Sequence, residues 1–102
     1  MVILNTTYHV HGTIYRDFVQ WLKSDMLPAA DKAGMHSPRV SRVLGGDDPE
    51  GISLAFEVSA PDLISAKQWQ KSDELQALHS RMLSTWGHKA LFFCTLLDVI
   101  KQ

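Results

Sequence analysis

The sequence predicts one α+β domain whose elements follow the order strand, helix, strand, strand, helix, strand. Four stretches are rich in β-branched and aromatic residues or alternate between apolar and polar residues, as strands do. Two stretches repeat apolar residues at steps of three and four, as helices do. A glycine-rich turn separates the two central strands. The length of 102 residues fits a single domain, residues 1–102.

The first strand and the first helix are predicted from the opening third of the chain. Residues 2–10 (VILNTTYHV) form the first strand, which Gly12 ends. Residues 14–26 form the first helix, and its apolar residues fall on one side: Tyr15, Phe18, Val19, Leu22 and Met26. Because Pro28 has no backbone N–H, we expect a break there and a short second helical piece through Ala33.

The central hairpin joins residues 36–44 to residues 52–59 through the turn at 45–51. In the third strand one face is apolar: Ile52, Leu54, Phe56 and Val58. The turn also carries three acidic residues: Asp47, Asp48 and Glu50. Their spacing differs from that of an EF-hand loop, so a solvated hairpin tip is favoured over a calcium site.

The second helical region opens at Pro61 and Asp62, and Ser72 is placed to cap a fresh helix within it. That helix carries an apolar stripe: Leu75, Leu78, Met82 and Trp86. Residues 89–100 form the fourth strand, which is apolar on both faces. With right-handed crossovers, this order gives the ferredoxin-like βαββαβ plan, an antiparallel sheet with two helices on one face.

The fourth strand lies at an edge of the sheet in that plan. An edge strand that is apolar on both sides promotes aggregation unless something covers it. The helices cover one face, and a second copy of the chain is the simplest cover for the other. We therefore expect a homodimer.

Composition excludes several classes of partner. The formal net charge is −1 and no basic stripe is present, which argues against a nucleic acid. No segment has the cationic amphipathic pattern or the length of about 20 apolar residues needed at a membrane, and the N-terminus lacks a signal peptide. We expect a cytoplasmic protein. Cys94 lies in an apolar run, typical of a small buried side chain rather than a reactive thiol.

A candidate site follows from His79, which shares the apolar side of its helix and therefore faces the sheet. A buried imidazole needs a polar partner or a ligand. If the face of the first strand that carries Asn5 looks toward the helices, Asn5 and His79 share a pocket suited to a small molecule. The alternative is a core histidine bonded to protein. His9 and His11 could pair on a metal, but two solvent-facing histidines are favoured, so we predict no metal site.

The string from Trp69 to His79, W-x-K-S-D-x-x-x-A-x-H, resembles the second-helix signature of the antibiotic-biosynthesis-monooxygenase superfamily of dimeric α/β barrels. Within it, the string is most similar to haem-degrading monooxygenases. The resemblance implies that haem is cofactor and substrate, that His79 is the axial ligand of its iron, that Trp69 presses on the macrocycle, and that the Asn5 amide bonds the distal ligand.

A second resemblance covers nearly the whole chain. The opening Ile3-Leu4-Asn5-Thr6-Thr7, the pairs Trp21-Leu22 and Leu27-Pro28, and the ending Thr95-Leu96-Leu97-Asp98-Val99-Ile100 are similar to a family of short bacterial proteins built on a domain of unknown function. That family implies the same ferredoxin-like fold and brings no assigned chemistry.

Three functional hypotheses follow, and we prefer the first because it is the most sharply testable. The first is a haem-degrading monooxygenase that uses Asn5, Trp69 and His79. The second is a cofactor-independent monooxygenase in which His79 is the base and Asn5 a polar anchor. The third is a non-catalytic dimer that binds a small molecule or another protein. The first two require a cavity for a flat aromatic ligand beside His79.

Overall fold

The computed structural model describes residues 1–45 and 51–101. Its strands are β1 (Val2–His11), β2 (His36–Arg42), β3 (Gly51–Ala60) and β4 (Ala90–Asp98). Its helices are α1 (Tyr15–Trp21), a π-helical turn (Leu22–Met26), α2 (Leu27–Lys32), α3 (Leu63–Gln70) and α4 (Asp73–Trp86), with 3₁₀ turns at Gly12–Ile14 and Gly87–Lys89. Most of the predicted acidic turn, including Asp47, Asp48 and Glu50, lies outside the described residues.

The four strands form one antiparallel sheet in the order β2-β3-β1-β4. This order confirms the α+β, ferredoxin-like prediction and places β4 at an edge. Within the described residues, no helix is long and apolar enough to cross a membrane.

The two faces of the sheet differ in burial. Alternate residues of β1 are buried against the helices, and we call their side the helix face: Val2, Leu4, Thr6, Tyr8 and Val10. The opposite side, the open face, is only partly buried or exposed. Strand pairing assigns to it fourteen residues: Ile3, Asn5, Thr7, His9, Arg39, Ser41, Ser53, Ala55, Glu57, Ser59, Leu91, Phe93, Thr95 and Leu97.

The predicted break at Pro28 is a π-helical turn that keeps the helix continuous. Leu27 N–H donates to the carbonyl of Leu22, five residues back, and Pro28 follows without an N–H of its own. The buried side continues across the turn from Leu22 and Met26 to Ala29 and Ala30. A proline is therefore accommodated while the same side of the helix stays on the core.

The second helical region divides where Ser72 was predicted to cap. The Ser72 hydroxyl accepts a hydrogen bond from Leu75 N–H at 3.2 Å and donates one to the carbonyl of Trp69 at 2.8 Å. One side chain thus ends α3 and begins α4. From this start, α4 buries four side chains against the sheet: Leu75, Leu78, His79 and Met82.

Candidate functional site

The His79 imidazole lies inside the domain, with 6% of the residue exposed. Its Nε2 is 2.7 Å from the hydroxyl oxygen of Tyr8, on the helix face of β1. Its ring stacks on Phe92 of β4, with centroids 4.2 Å apart and planes 29° apart. His79 therefore has both a polar partner and an aromatic partner from the protein itself.

The charges of this pair are set by burial. Burial lowers the pKa of His79 to about 4, so the imidazole is neutral at pH 7. Burial, and to a smaller extent the Cys94 thiol, raises the pKa of Tyr8, so the phenol is also neutral. The phenol is the better donor, so its O–H donates and Nε2 accepts. The result is a hydrogen bond between two neutral groups in an apolar interior, which pairs the phenol O–H with Nε2.

Aromatic rings fill the space around this bond. Tyr8 contacts Phe18 at 5.2 Å and Phe92 at 5.9 Å between centroids. Phe18 in turn contacts Trp21 at 5.3 Å and Trp86 at 5.1 Å. The region where a flat ligand was expected is thus occupied by the core of the protein.

Asn5 lies on the open face, on the other side of the sheet from His79. The condition for a shared pocket, that Asn5 faces the helices, is not met. The reason lies in β1, whose two faces both carry apolar residues. The face with Val2, Leu4, Tyr8 and Val10 is the more apolar, so it turns inward and carries Tyr8 to His79. Sequence reasoning missed Tyr8, although comparing the two alternations would have identified its face.

Trp69 packs in the core between the helices and the sheet, on the other side of the sheet from Asn5. It lies at the end of α3, 4% exposed and packed in the core. It borders a cleft of about 370 Å³ near the start of α4, together with Met35, Ser72 and Glu74. The structure therefore separates Asn5 from Trp69 and His79, and the three predicted site residues do not share one pocket.

The haem assignment can be tested against this geometry. An axial histidine must present a nitrogen lone pair to the iron beside a slot wide enough for the macrocycle. Nε2 of His79 is held by the Tyr8 hydroxyl, and Phe92 covers a face of the ring. The residues around His79 in this arrangement do not fit haem.

The remaining candidates have local partners. Nδ1 of His9 lies 3.2 Å from the Ser53 hydroxyl, and Nδ1 of His11 lies 2.8 Å from the Thr13 hydroxyl. Across residues 1–45 and 51–101, no group of three or more His, Cys, Asp or Glu side chains is placed to hold a metal. Cys94 is half-buried on the helix face, 3.5 Å from the Thr6 hydroxyl.

The open face presents a second arrangement that sequence reasoning did not identify. A row of polar residues crosses it from edge to edge: Arg39, Glu57, Asn5 and Thr95. An ion pair joins Arg39 Nη2 to Glu57 Oε1 at 3.0 Å. Asn5 Nδ2 donates to the Thr7 hydroxyl at 3.2 Å, while Oδ1 is buried and has no hydrogen-bond partner among the described residues.

Beside this polar row, β4 exposes large apolar side chains on the same face. Leu91, Phe93 and Leu97 are 57%, 62% and 45% exposed. Side chains of this size pack inside most domains, so their alignment along one strand makes this face a candidate binding surface. The open face is the better candidate for a functional surface than the filled interior around His79.

Comparisons with known proteins agree with the fold. An EthD (ethyl tert-butyl ether D) family protein from Bacillus halodurans C-125 is 17% identical with a TM-score of 0.63, covering 96% of this chain and 98% of that chain. A hydroxynitrile lyase from Passiflora edulis is 10% identical with a TM-score of 0.66, covering 99% of this chain and 97% of that one. A de novo designed protein with a ferredoxin fold is 10% identical with a TM-score of 0.55, over 100% and 89%.

At these identities the likeness shows the fold alone. No curated protein matches the sequence. A family model described as a domain of unknown function, DUF4286, matches residues 1–100. The chain therefore belongs to the DUF4286 family.

Proposed function

We propose that the protein is a non-catalytic binding protein that works as a homodimer, in which the open faces of two copies pack against each other. The observation that carries the proposal is the exposed row of Leu91, Phe93 and Leu97 on a face that no helix covers in the described part of the chain. Burying that row removes apolar surface from water, which is the main favourable term in association.

The size of the face suits a stable interface. Four strands about 4.8 Å apart and about 30 Å long span a face of roughly 600 Å² before the relief of the side chains is added. A standard interface buries about 800 Å² on each partner. With the relief of the side chains added, one sheet face laid on another approaches the size of a standard interface.

The charges of the face favour a second copy over a charged partner. Among the residues of the open face, Arg39 and Glu57 carry opposite charges and already pair with each other. Two such faces meet without net repulsion. An interface of this kind is isologous, with the same patch used on both copies.

The polar centre of the face gives the dimer a place for a ligand. Asn5, Thr7 and Ser53 lie between the apolar β4 edge and the β2 edge. When the apolar edges meet a second copy, these polar groups become the lining of a chamber between the sheets. Polar groups placed among apolar walls are typical of small-molecule sites.

The test is the molar mass in solution of wild type and two lysine variants, measured by light scattering after gel filtration. Phe93→Lys places a charge on the open face and is expected to give a monomer. Leu83→Lys is the matched control, because Leu83 is 51% exposed on α4, away from the open face. It is expected to stay dimeric. A Phe93→Lys protein as dimeric as the control would overturn the open-face dimer.

The two monooxygenase hypotheses place the ligand elsewhere, between the helices and the sheet beside His79. They would need the Tyr8 hydrogen bond to break and Phe92 to move. The non-catalytic hypothesis needs neither change, and for that reason we prefer it.

A further inference from the structure

A residue with a strained backbone conformation lies near the start of β2. Ser37 has φ +49°, a left-handed conformation that residues other than glycine rarely adopt, and it directly precedes Pro38, which restricts its backbone further. Here the register shifts: His36 lies opposite Ser59 and Arg39 opposite Glu57, so β2 carries one extra residue. Bulges are common on edge strands and next to functional sites, where they re-aim a side chain, and strained residues cluster at such sites.

The bulge borders a pocket of about 290 Å³ on the open face. Its lining combines one apolar side chain, two hydroxyls, a proline and two opposite charges: Ile3, Ser37, Ser59, Pro38, Arg39 and Glu57. This volume lies near the lower limit for ligand sites, so it suits a molecule of a few heavy atoms. Opposite charges in one small pocket suit a ligand that carries both charges.

The ion pair between Arg39 and Glu57 leaves hydrogen-bonding groups on both side chains for such a ligand. A single contact, Arg39 Nη2 to Glu57 Oε1, joins the two side chains. A guanidinium has five N–H donors and a carboxylate has two oxygens, so most donors of Arg39 and one oxygen of Glu57 lie outside this contact. Arg39 is the more exposed of the two, with 68% of its side chain accessible against 23% for Glu57.

Asn5 adds an unused acceptor next to the carboxylate. It lies directly opposite Glu57 in the pairing of β1 with β3, a distance at which side chains on one face interact. Its Oδ1 is buried and finds no partner within the described residues. Rotating the amide would exchange oxygen and nitrogen and leave the nitrogen unpaired instead. In either orientation Asn5 has hydrogen-bonding capacity that the described chain does not use.

We propose that this pocket binds a small zwitterion of the free α-amino acid class. Its carboxylate contacts the Arg39 guanidinium and the hydroxyls of Ser37 and Ser59, and its ammonium group contacts the Glu57 carboxylate oxygen that Arg39 leaves free. The inference deepens the proposed function and rests on it, because the second copy covers the pocket and removes the charges from bulk water. In that setting charge-assisted hydrogen bonds are at their strongest.

Isothermal titration calorimetry of the full-length protein tests this, with glycine, L-alanine and L-serine as probes. Acetate and methylammonium, which each carry one charge, are the control ligands. We expect at least one amino acid to bind and both control ligands to bind at least about tenfold more weakly, since a charged hydrogen bond is lost with each. Equal binding of acetate or methylammonium would contradict a zwitterion site.

Two variants localise the site. Arg39→Gln and Glu57→Gln are expected to weaken amino-acid binding by about tenfold or more while the protein remains dimeric. The controls are Arg16→Gln and Glu74→Gln, since both residues are exposed on helices, and they are expected to bind as the wild type does.

The molar mass of each sample separates the two proposals. A dimeric wild type that binds none of the three amino acids overturns this inference and leaves the open-face dimer intact. A monomeric wild type overturns the dimer and, with it, this site. If Arg39→Gln or Glu57→Gln yields monomers that have the wild-type fold by circular dichroism, the ion pair serves the dimer contact, and the ligand assignment is wrong.

Discussion

The hydrogen bond between Tyr8 and His79 determines what the interior between helices and sheet can do. Both groups are buried, both are neutral at pH 7, and each satisfies the other at 2.7 Å. Removing one member of a buried polar pair lowers the free energy of unfolding, because the remaining member loses its hydrogen bond and does not regain one to water. We therefore interpret His79 as a structural residue of the core.

Removing one partner is expected to destabilise the fold. Tyr8→Phe leaves Nε2 of His79 buried without a donor and is expected to lower the free energy of unfolding by about 1–3 kcal/mol. The double variant Tyr8→Phe/His79→Leu removes both polar groups and is expected to recover part of that loss. Urea unfolding followed by circular dichroism measures both. Tyr15→Phe is the control, and a Tyr8→Phe protein as stable as this control would contradict the interpretation.

The same residue predicts a pH dependence. Burial lowers the pKa of His79 from 6.5 to about 4 in the folded protein, so between these values the unfolded chain binds a proton that the folded chain does not. The contribution of His79 to stability is fully present above about pH 6.5 and is lost as the pH falls toward 4, by up to about 2–3 kcal/mol.

Urea unfolding at several values between pH 7.5 and 4 checks this prediction. In His79→Leu, which cannot titrate at that position, the free energy of unfolding is expected to fall less steeply over the same interval. Parallel pH profiles for the variant and the wild type would show that the imidazole does not carry the effect.

Haem binding is the third prediction for this residue. Because Nε2 is occupied and Phe92 covers the ring, haemin titration is expected to give the same Soret spectrum for wild type and His79→Leu. A Soret shift present in the wild type and absent in the variant would restore the haem-degrading hypothesis, since it would require the imidazole to leave Tyr8 and reach the iron.

Among the helices, the junction of α3 and α4 contains a side chain that bonds to both helices. The Ser72 hydroxyl accepts from Leu75 N–H and donates to the Trp69 carbonyl, so it bonds a backbone group at the end of α3 and another at the start of α4. Ser72→Ala is expected to lower the free energy of unfolding by about 1 kcal/mol, the usual cost of losing a capping hydroxyl.

The control for this prediction is Ser80→Ala. Ser80 is exposed within α4, and alanine there favours the helix, so this variant is expected to be as stable as the wild type or slightly more stable. Thermal unfolding of both variants distinguishes a capping role from a general response to losing a serine. Equal melting temperatures for the two would argue against the cap.

Elements with a strong local signal were predictable from the sequence. The alternation in β3, the capping Ser72 and the apolar stripe of α4 each have a direct physical cause in a few neighbouring residues. The orientation of β1 was left open because both of its faces carry apolar residues, although the alternation with Val2, Leu4, Tyr8 and Val10 is the more apolar and is the one that faces the helices. The β2 bulge has no sequence signature of its own, so the contact of Arg39 with Glu57 was not predicted.

At the scale of the whole molecule, the sheet divides the domain into a closed side and an open side. The closed side is complete, since the helices and the aromatic rings around Tyr8 fill it. The open side carries an Asn5 oxygen that has no hydrogen-bond partner among the described residues, a strained Ser37 and an exposed apolar row on β4. Each of these features is easier to explain if a second copy covers the face.

The overall topology was predicted because the order of the elements and the handedness of their connections leave few arrangements. The edge position of β4 follows from that topology, and with it the expectation of a homodimer. The pocket around Arg39 and Glu57 was not predicted, because its residues come from β1, β2 and β3 and meet only when the register of the sheet is known.

Sedimentation velocity of the wild-type protein over a range of micromolar concentrations tests the open-face dimer most directly. We predict a single species with twice the mass of one chain, and dissociation to one chain when Phe93 is replaced by lysine. A wild-type protein that sediments as one chain at every concentration would contradict the account, because the exposed row on β4 would then face water in the working protein.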